Sequence, residues 1–353
     1  MPELEPVEPP VPADVAERAA ALVAELYAGS DRRLARELLE SALGLVGDNP
    51  DPLDLKIAAA AMTEMRQAFR VFGPFEDVPK VTVFGSARVR TDDPLYTQAT
   101  DIARLLAEQG WMVVTGAGPG IMQAAMEGAG RDQSIGVSIR LPFEQGANPV
   151  IAGDEKFVSM KYFFTRKLML VKESRAFVCL PGGFGTLDET FELLTLTQTG
   201  KGLPVPIVLL DSPGDPFWES IDEMVRDQLL RRGLVSEEDT HLYLVTDSCE
   251  EAAAEIARFY RNFHSIRYVG DDLIVRLRRE PTDADLADLN ARFDYLVARG
   301  AIERTGPMAV ERRHGDHPEL PRLRFAINRH RSSDIRALVD AVNHLDPTVG
   351  TPS

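Results

Sequence analysis

The chain has 353 residues, 44% of them hydrophobic and 27% charged, which is the usage of a globular protein longer than one average domain. A formal net charge of -16 is the reverse of the basic footprint needed for nucleic acid or an anionic membrane surface, although a local potential can still favour a small anion. The two cysteines, Cys179 and Cys249, give neither a disulfide framework nor metal-ligand spacing and suit a reducing compartment.

Residues 1–12 are acidic and proline-rich, lack the regions of a signal peptide and are expected to be a disordered lead-in. No apolar run approaches membrane-spanning length, so a cytoplasmic protein is expected. Residues 13–79 form a helical extension, with Ala/Leu/Glu/Arg-rich segments from Ala13 to Phe72 broken at Gly47-Asp48-Asn49-Pro50. Nothing in it carries recognisable chemistry, and it is expected to be a layer packed on the core or in an oligomer interface.

From 80 to 264, strands alternate with helices. Val81–Gly85 is strand-like and Leu95–Gln109 helical. Trp111–Thr115 is the next strand, leading into Gly116-Ala117-Gly118-Pro119-Gly120 and a helix from Ile121. Ser134–Leu141 and Phe157–Met160 are strands, followed by a helix from Phe163 to Lys172 and a strand from Ala176 to Leu180. Leu187–Thr199 is helical, as are Phe217–Arg231 and Glu250–Tyr260, with strands at Pro206–Leu210 and Leu242–Val245. Apolar strands separated by helices predict an α/β, Rossmann-like doubly wound parallel sheet, whose ligands bind beyond the carboxyl ends of the strands.

Residues 265–346 read as a small α+β unit, in the manner of a ferredoxin-like fold, and 347–353 as a tail. Strand patterns at Arg267–Arg278, Met308–Arg312 and Arg322–Asn328 accompany helices at Asp283–Arg299 and Asp334–Asn343. The unit is either a regulatory ligand-binding module or an interface-forming appendage. His314-Gly315-Asp316-His317 resembles a metal pair, but no further spaced ligands accompany it. With Arg312, Arg313 and Pro318 alongside, it reads as a solvated hairpin tip, and no metal site is expected.

The most chemical stretch is Pro181-Gly182-Gly183-Phe184-Gly185-Thr186-Leu187-Asp188-Glu189, at a strand-to-helix turn. Its glycines let backbone N–H groups approach a ligand, and a helix N-terminus aims at the same place, which is an anion site suited to phosphate. Glu189 is open to two readings. Thr186-Leu187-Asp188-Glu189 is a capping-box pattern, with Thr186 as the cap; a carboxylate beside a phosphate grip is equally an acid/base group. Gly116–Gly120 departs from the dinucleotide fingerprint, because Ile121 stands where G-x-G-x-x-G needs glycine, and Arg140 ends the following strand where an acidic ribose ligand is expected. A nicotinamide-dependent dehydrogenase is disfavoured. Gly85-Ser86-Ala87-Arg88 adds a hydroxyl and a guanidinium at the end of the first strand. In the helix from Phe163, a buried stripe of Phe164, Leu168 and Val171 would leave Arg166 near its edge, above the same sheet end as the phosphate turn.

These segments together resemble the Lonely Guy family of nucleotide phosphoribohydrolases. Pro181–Glu189 is similar to the family's P-G-G-x-G-T-x-x-E signature. Thr165-Arg166-Lys167, Phe84–Arg88 and Gly118-Pro119-Gly120-Ile121-Met122 resemble further family segments in order, over roughly Lys80 to Phe263. The resemblance implies hydrolysis of the N-glycosidic bond of a nucleoside 5′-monophosphate to free base and ribose 5-phosphate. Glu189 and Arg166 match the catalytic pair. The phosphate would sit on Gly182, Gly183, Gly185 and Thr186. Ser86, Arg88, Gly118, Gly120, Met122 and Lys167 would complete the substrate site. It also implies a homodimer with sites near the interface; no cofactor or metal is expected, and the net charge argues against nucleic acid or membrane partners. The chain resembles a long-form relative: Met160-Lys161-Tyr162-Phe163-Phe164-Thr165-Arg166-Lys167 departs from the M-x-x-R-K of the cytokinin-activating branch, Ala117 stands where glycine is common, and Gln123 where glutamate is frequent. The expected base range therefore spans cytokinin-type and ordinary purine or pyrimidine monophosphates. The family is often labelled lysine decarboxylase, but no phosphate-anchored pyridoxal site with a Schiff-base lysine is legible. The alternative from another class is a nucleotide sensor that uses the same pocket without turnover. Retention of both Arg166 and Glu189 favours the enzyme.

Overall fold

A computed structural model describes residues 11–29, 31–141 and 146–345. The 347–353 tail and all but Val11 and Pro12 of the expected lead-in lie outside the described residues. In chain order, helices α1 (Ala13–Leu26), α2 (Arg32–Gly47) and α3 (Pro52–Phe72) precede β1 (Lys80–Phe84). There follow α4 (Pro94–Glu108), β2 (Met112–Thr115), α5 (Ile121–Ala129), β3 (Ser134–Ile139), β4 (Phe157–Met160), α6 (Phe163–Lys172), β5 (Ala176–Cys179), α7 (Phe184–Gln198), β6 (Ile207–Leu210), α8 (Phe217–Met224), β7 (Tyr243–Thr246) and α9 (Cys249–Phe259). The remaining elements are β8 (Phe263–Val269), β9 (Asp272–Leu277), α10 (Asp283–Arg292), β10 (Val297–Thr305), α11 (Ala309–His314), β11 (Arg322–Ile327) and α12 (Ile335–His344). Among the described residues no helix is long and apolar enough to cross a membrane.

The chain divides into two units, Met1–Thr63 with Pro307–Pro318, and Glu64–Gly306 with Glu319–Ser353. The first is helical. Its boundaries follow local chemistry: Asp31 accepts from Leu34 N at 3.1 Å to cap α2, and proline opens α3, where a missing N–H costs nothing.

The second unit holds two sheets. The larger has seven strands in the order β4-β3-β2-β1-β5-β6-β7, all parallel. Its central strands β1, β2, β5 and β6 are buried throughout, as helix cover on both faces requires. On one face Val81, Val83, Val113 and Val178 pack with Ile102 and Leu106 of α4, Ala124 of α5 and Ile256 of α9. On the other, Val114, Phe177 and Leu209 meet Ala68 and Phe72 of α3, Met169 and Leu170 of α6, Leu193 of α7 and Trp218 of α8. Thr82 is the buried hydroxyl of β1; it bonds Leu170 O at 3.0 Å and Ser174 Oγ at 2.7 Å, so its burial leaves nothing unpaired. The chain winds outward from β1 to β4 and then returns to β5 beside β1. That reversal is the switch point at which such sheets form their ligand crevice.

The smaller sheet is antiparallel, in the order β10-β11-β9-β8. Its elements run strand-strand-helix-strand-strand-helix when α11 is set aside, which corrects the ferredoxin-like expectation. Asn343 of α12 ties it to the end of α9: its Oδ1 accepts from Asn262 N and Phe263 N, both at 2.8 Å, and its Nδ2 donates to Phe259 O at 2.6 Å. Four further expectations need correction. Met308–Arg312 is not a strand but the start of α11, because a five-residue apolar/polar run cannot distinguish the two periods. His314 accordingly ends a helix, closed by Gly315 in the left-handed conformation (φ 70°), and is not at a hairpin tip. The helix expected over 283–299 stops at Arg292, with β10 beginning at Val297, and the one expected over 217–231 loses α-geometry after Met224.

Helices α4 and α5 approach so closely that a Cβ at Gly128 would overlap the Thr100 carbonyl, a backbone atom that cannot swing aside. Gly128→Ala should therefore destabilise by about 2 kcal/mol or more, read as a lowered midpoint in urea unfolding with an unchanged slope.

Candidate active site at the switch point

Three glycine turns meet at the carboxyl ends of β1, β2 and β5, and backbone bonds fasten them together. Leu180 N donates to Phe84 O at 2.9 Å, Ser86 N to Pro181 O at 3.2 Å and Ile121 N to Ser86 O at 3.1 Å. They bound a cleft of about 1050 Å³. Ser86, Arg88, Gly118, Met122, Arg166, Gly182, Gly183, Gly185, Thr186 and Glu189 all line it; Gly120 and Lys167 do not.

The glycines divide by what surrounds them. Gly120 sits at φ +66°, and a Cβ there would overlap Ser86 O, so it serves the close approach of two turns. A Cβ at Gly182 would overlap the Thr186 hydroxyl and stand 3.0 Å from Ser86 N. Gly183 and Gly185 have nothing within 4 Å of a Cβ position. Their bareness answers no packing need of this chain and leaves room for a ligand at the N-terminus of α7.

Helix α7 begins at Phe184, three residues earlier than the apolar pattern indicates, with Gly183 as its N-cap and no side-chain cap bond. Thr186 is thus inside the first turn, and the capping-box reading of Glu189 is removed. Glu189 is 7% exposed, and its Oε2 has no hydrogen-bond partner. Burial pushes its pKa up; Lys167 and Arg166 pull it down, and burial prevails. The neighbouring Cys179 is fully buried at the end of β5, and desolvation raises its pKa to about 12, so it is an inert core thiol.

The expected stripe on α6 is rotated. Thr165, Met169 and Leu170 face the core, whereas Phe163, Phe164 and Leu168 are 52%, 54% and 46% exposed. The rotation turns Arg166 over the sheet. Its Nε donates to Val137 O of β3 at 3.0 Å, and its guanidinium lies so near Gly116 that a Cβ there would overlap it. Lys167 turns away towards α7, 2.7 Å from Asp188, 2.8 Å from Glu192 and 3.8 Å from Glu189 Oε2. Burial opposes its charge, but these carboxylates more than offset that and raise its pKa. Lys167 is a counter-charge to Glu189's helix.

Sequence reasoning missed Gly116, Ser138, Arg140, Phe157, Ser159, Phe163 and Asp188 as lining residues. Most stand at the carboxyl ends of β2, β3 and β4, a signal available from strand register, and only Gly116 and Asp188 of them fall within the glycine motifs.

Residues 120–256 match a family model described as possible lysine decarboxylase. The chain is 29% identical over 181 residues to the cytokinin riboside 5′-monophosphate phosphoribohydrolase of Oryza sativa subsp. japonica, covering 49% of this chain and 70% of that protein. It is 33% identical over 134 residues to a probable cytokinin riboside 5′-monophosphate phosphoribohydrolase of Arabidopsis thaliana, covering 36% of this chain and 65% of that protein. Among solved structures, the molybdenum cofactor carrier protein of Chlamydomonas reinhardtii aligns over 51% of this chain and 97% of its own, at 20% identity and a TM-score of 0.35.

Two predictions follow from the site alone. Gly185→Ala, inside a helix with open space around it, should raise stability by about 0.5–1 kcal/mol while weakening binding of inorganic phosphate or a phosphorylated ligand in calorimetry; Gly182→Ala should lower stability. The second concerns pH. A folded-state pKa above the ordinary 4.5 makes the contribution of Glu189 to stability full below pH 4.5 and lost as pH rises through the raised value. Glu189→Gln should therefore melt at a higher temperature than wild type at pH 7.5, with the gap closing towards pH 4.5.

Proposed function

We propose that this chain, a relative of the Lonely Guy family, hydrolyses the N-glycosidic bond of a nucleoside 5′-monophosphate to free base and ribose 5-phosphate. The observation that carries the proposal is the buried Oε2 of Glu189, which faces Lys167 at 3.8 Å but accepts no hydrogen bond, and whose pKa is raised. A structural carboxylate would be hydrogen-bonded at this depth, whereas one awaiting water or a sugar would not.

The 5′-phosphate binds at the N-terminus of α7, where the backbone N–H groups of the Gly183–Thr186 turn have no intrahelical acceptors. Ribose then extends along the cleft towards Glu189. Water adds its oxygen to C1′ as the C1′–N bond breaks, and the bonding electron pair leaves with the base. Glu189 accepts the water's proton, which its raised pKa favours, and its charge opposes the positive sugar carbon of the oxocarbenium-like state. The proton is returned to the departing base. Arg166 remains protonated at any working pH, so it orients the carboxylate and holds substrate oxygens and does not move a proton.

The decarboxylase label of the matched family model does not suit the cleft. Among the described residues lining it there is no lysine to form a Schiff base, and Lys167 is bound by carboxylates that favour its protonated form.

The test is to incubate wild type, Glu189→Gln and Arg166→Ala with a panel of purine, pyrimidine and cytokinin-type monophosphates and to measure base and ribose 5-phosphate together. Turnover by wild type, reduced about 10³-fold or more in folded Glu189→Gln and roughly 10- to 100-fold in Arg166→Ala, supports the proposal. Nucleotide binding without release of base by wild type overturns it and leaves a sensor.

A further inference from the structure

Glu64 lies in α3, in a segment where the sequence shows no chemistry. It shares a helical stripe with Met65, Ala68, Val71 and Phe72, the side chains that α3 presents to the sheet core. A glutamate there is 2% exposed, which is costly unless the charge is matched. It is matched closely. Oε1 accepts from Lys161 N at 2.7 Å and stands 3.4 Å from Arg140 Nη2. Oε2 accepts from Thr165 Oγ1 at 2.7 Å and from Tyr162 N at 3.4 Å.

These partners surround the start of α6. Its N-cap, Tyr162, offers no side-chain acceptor to the first turn. The carboxylate of Glu64 fixes the two residues that lead into the helix and a hydroxyl of its first turn, and places a negative charge at the positive end of the helix. Where α6 begins decides where Arg166 sits, because Arg166 N bonds back to Tyr162 O at 3.3 Å. The cation held by Glu64, Arg140, lines the same cleft from the end of β3, and its own N donates to Met160 O at 2.8 Å. One buried carboxylate therefore connects two cleft arginines carried by different elements.

We propose that Glu64 is a positioning residue of the active site: by pinning the start of α6 and the Arg140 side chain, it sets the register of Arg166 against Glu189. This rests on the hydrolase reading, with Arg166 acting on the substrate or on Glu189. Glu64→Gln keeps the shape but exchanges one acceptor oxygen for a donor facing other donors, and removes the charge. A displacement of the order of 1 Å in a catalytic group can cost about 10²-fold in rate.

The experiment is a double-mutant cycle between Glu64→Gln and Arg166→Ala, with folding of each variant checked by thermal melting. The expected result is a fall in kcat of roughly 10- to 100-fold in Glu64→Gln, a smaller change in KM, and less than about a twofold effect when Arg166 is already alanine. Glu64→Asp should recover part of the loss. An unchanged kcat in Glu64→Gln, or the same loss in both Arg166 backgrounds, overturns the proposal, the latter marking a merely structural role. If wild type shows no turnover, the hydrolase reading fails on its own, and the cycle is read on binding of ribose 5-phosphate by calorimetry. Coupling between the two positions in that binding upholds the positioning role; absence of coupling, or of any binding by wild type, overturns it.

Discussion

Removing a carboxylate oxygen from water without giving it a hydrogen bond costs free energy, and the cleft is organised around one such atom, Glu189 Oε2. Burial disfavours the charge on Glu189, while Lys167 and Arg166 restore part of it by attraction across space and not by direct bonds to Oε2. The two cations divide the work because they stand next to each other on α6 and so project differently. Lys167 is spent on Asp188 and Glu192 of α7, and of the two it is Arg166 that lines the cleft. A fully satisfied Glu189 would be a better structural residue and a worse proton acceptor.

That arrangement depends on the place in the sheet where the winding reverses. Neighbouring strands β1 and β5 send their chains towards opposite edges of the sheet, so their turns diverge and leave a crevice. The crevice stays open because the turns bond to each other through backbone, Ser86 to Pro181 and Ile121 to Ser86. Side chains on Gly120 or Gly182 would push the turns apart, while Gly183 and Gly185 leave the mouth of α7 clear. The same short motif thus contains glycines with two distinct physical duties. The global charge of -16 does not oppose an anionic ligand here, since the cleft lining carries Arg88, Arg140 and Arg166 and the end of a helix dipole.

The parallel sheet was legible because strands buried on both faces must be continuously apolar, and the turns because glycine clusters interrupt such runs at one end of the sheet. The misreadings share a cause: a short pattern is compatible with more than one geometry. T-x-x-E marks a capping box only if the helix begins after the threonine, and here it begins at Phe184. On α6 the rule that large apolar residues point inward gives the wrong face, because Phe163, Phe164 and Leu168 are exposed while Thr165 is buried with Met169 and Leu170. That single rotation decides whether Arg166 or its neighbour meets the cleft.

Glu64 illustrates a different limit. A glutamate among Met65, Ala68 and Phe72 interrupts an apolar stripe, so its oddity is visible in sequence, but its partners lie 76 to 101 residues away and no local rule links them. An i to i+4 relation is written in the spacing of a helix; a bond between α3 and the start of α6 exists only after the sheet has placed both. Chemistry that a motif names is local because backbone turns are local. The charges that aim it are held by the tertiary fold, and they are the part of a site that a signature of nine residues cannot contain.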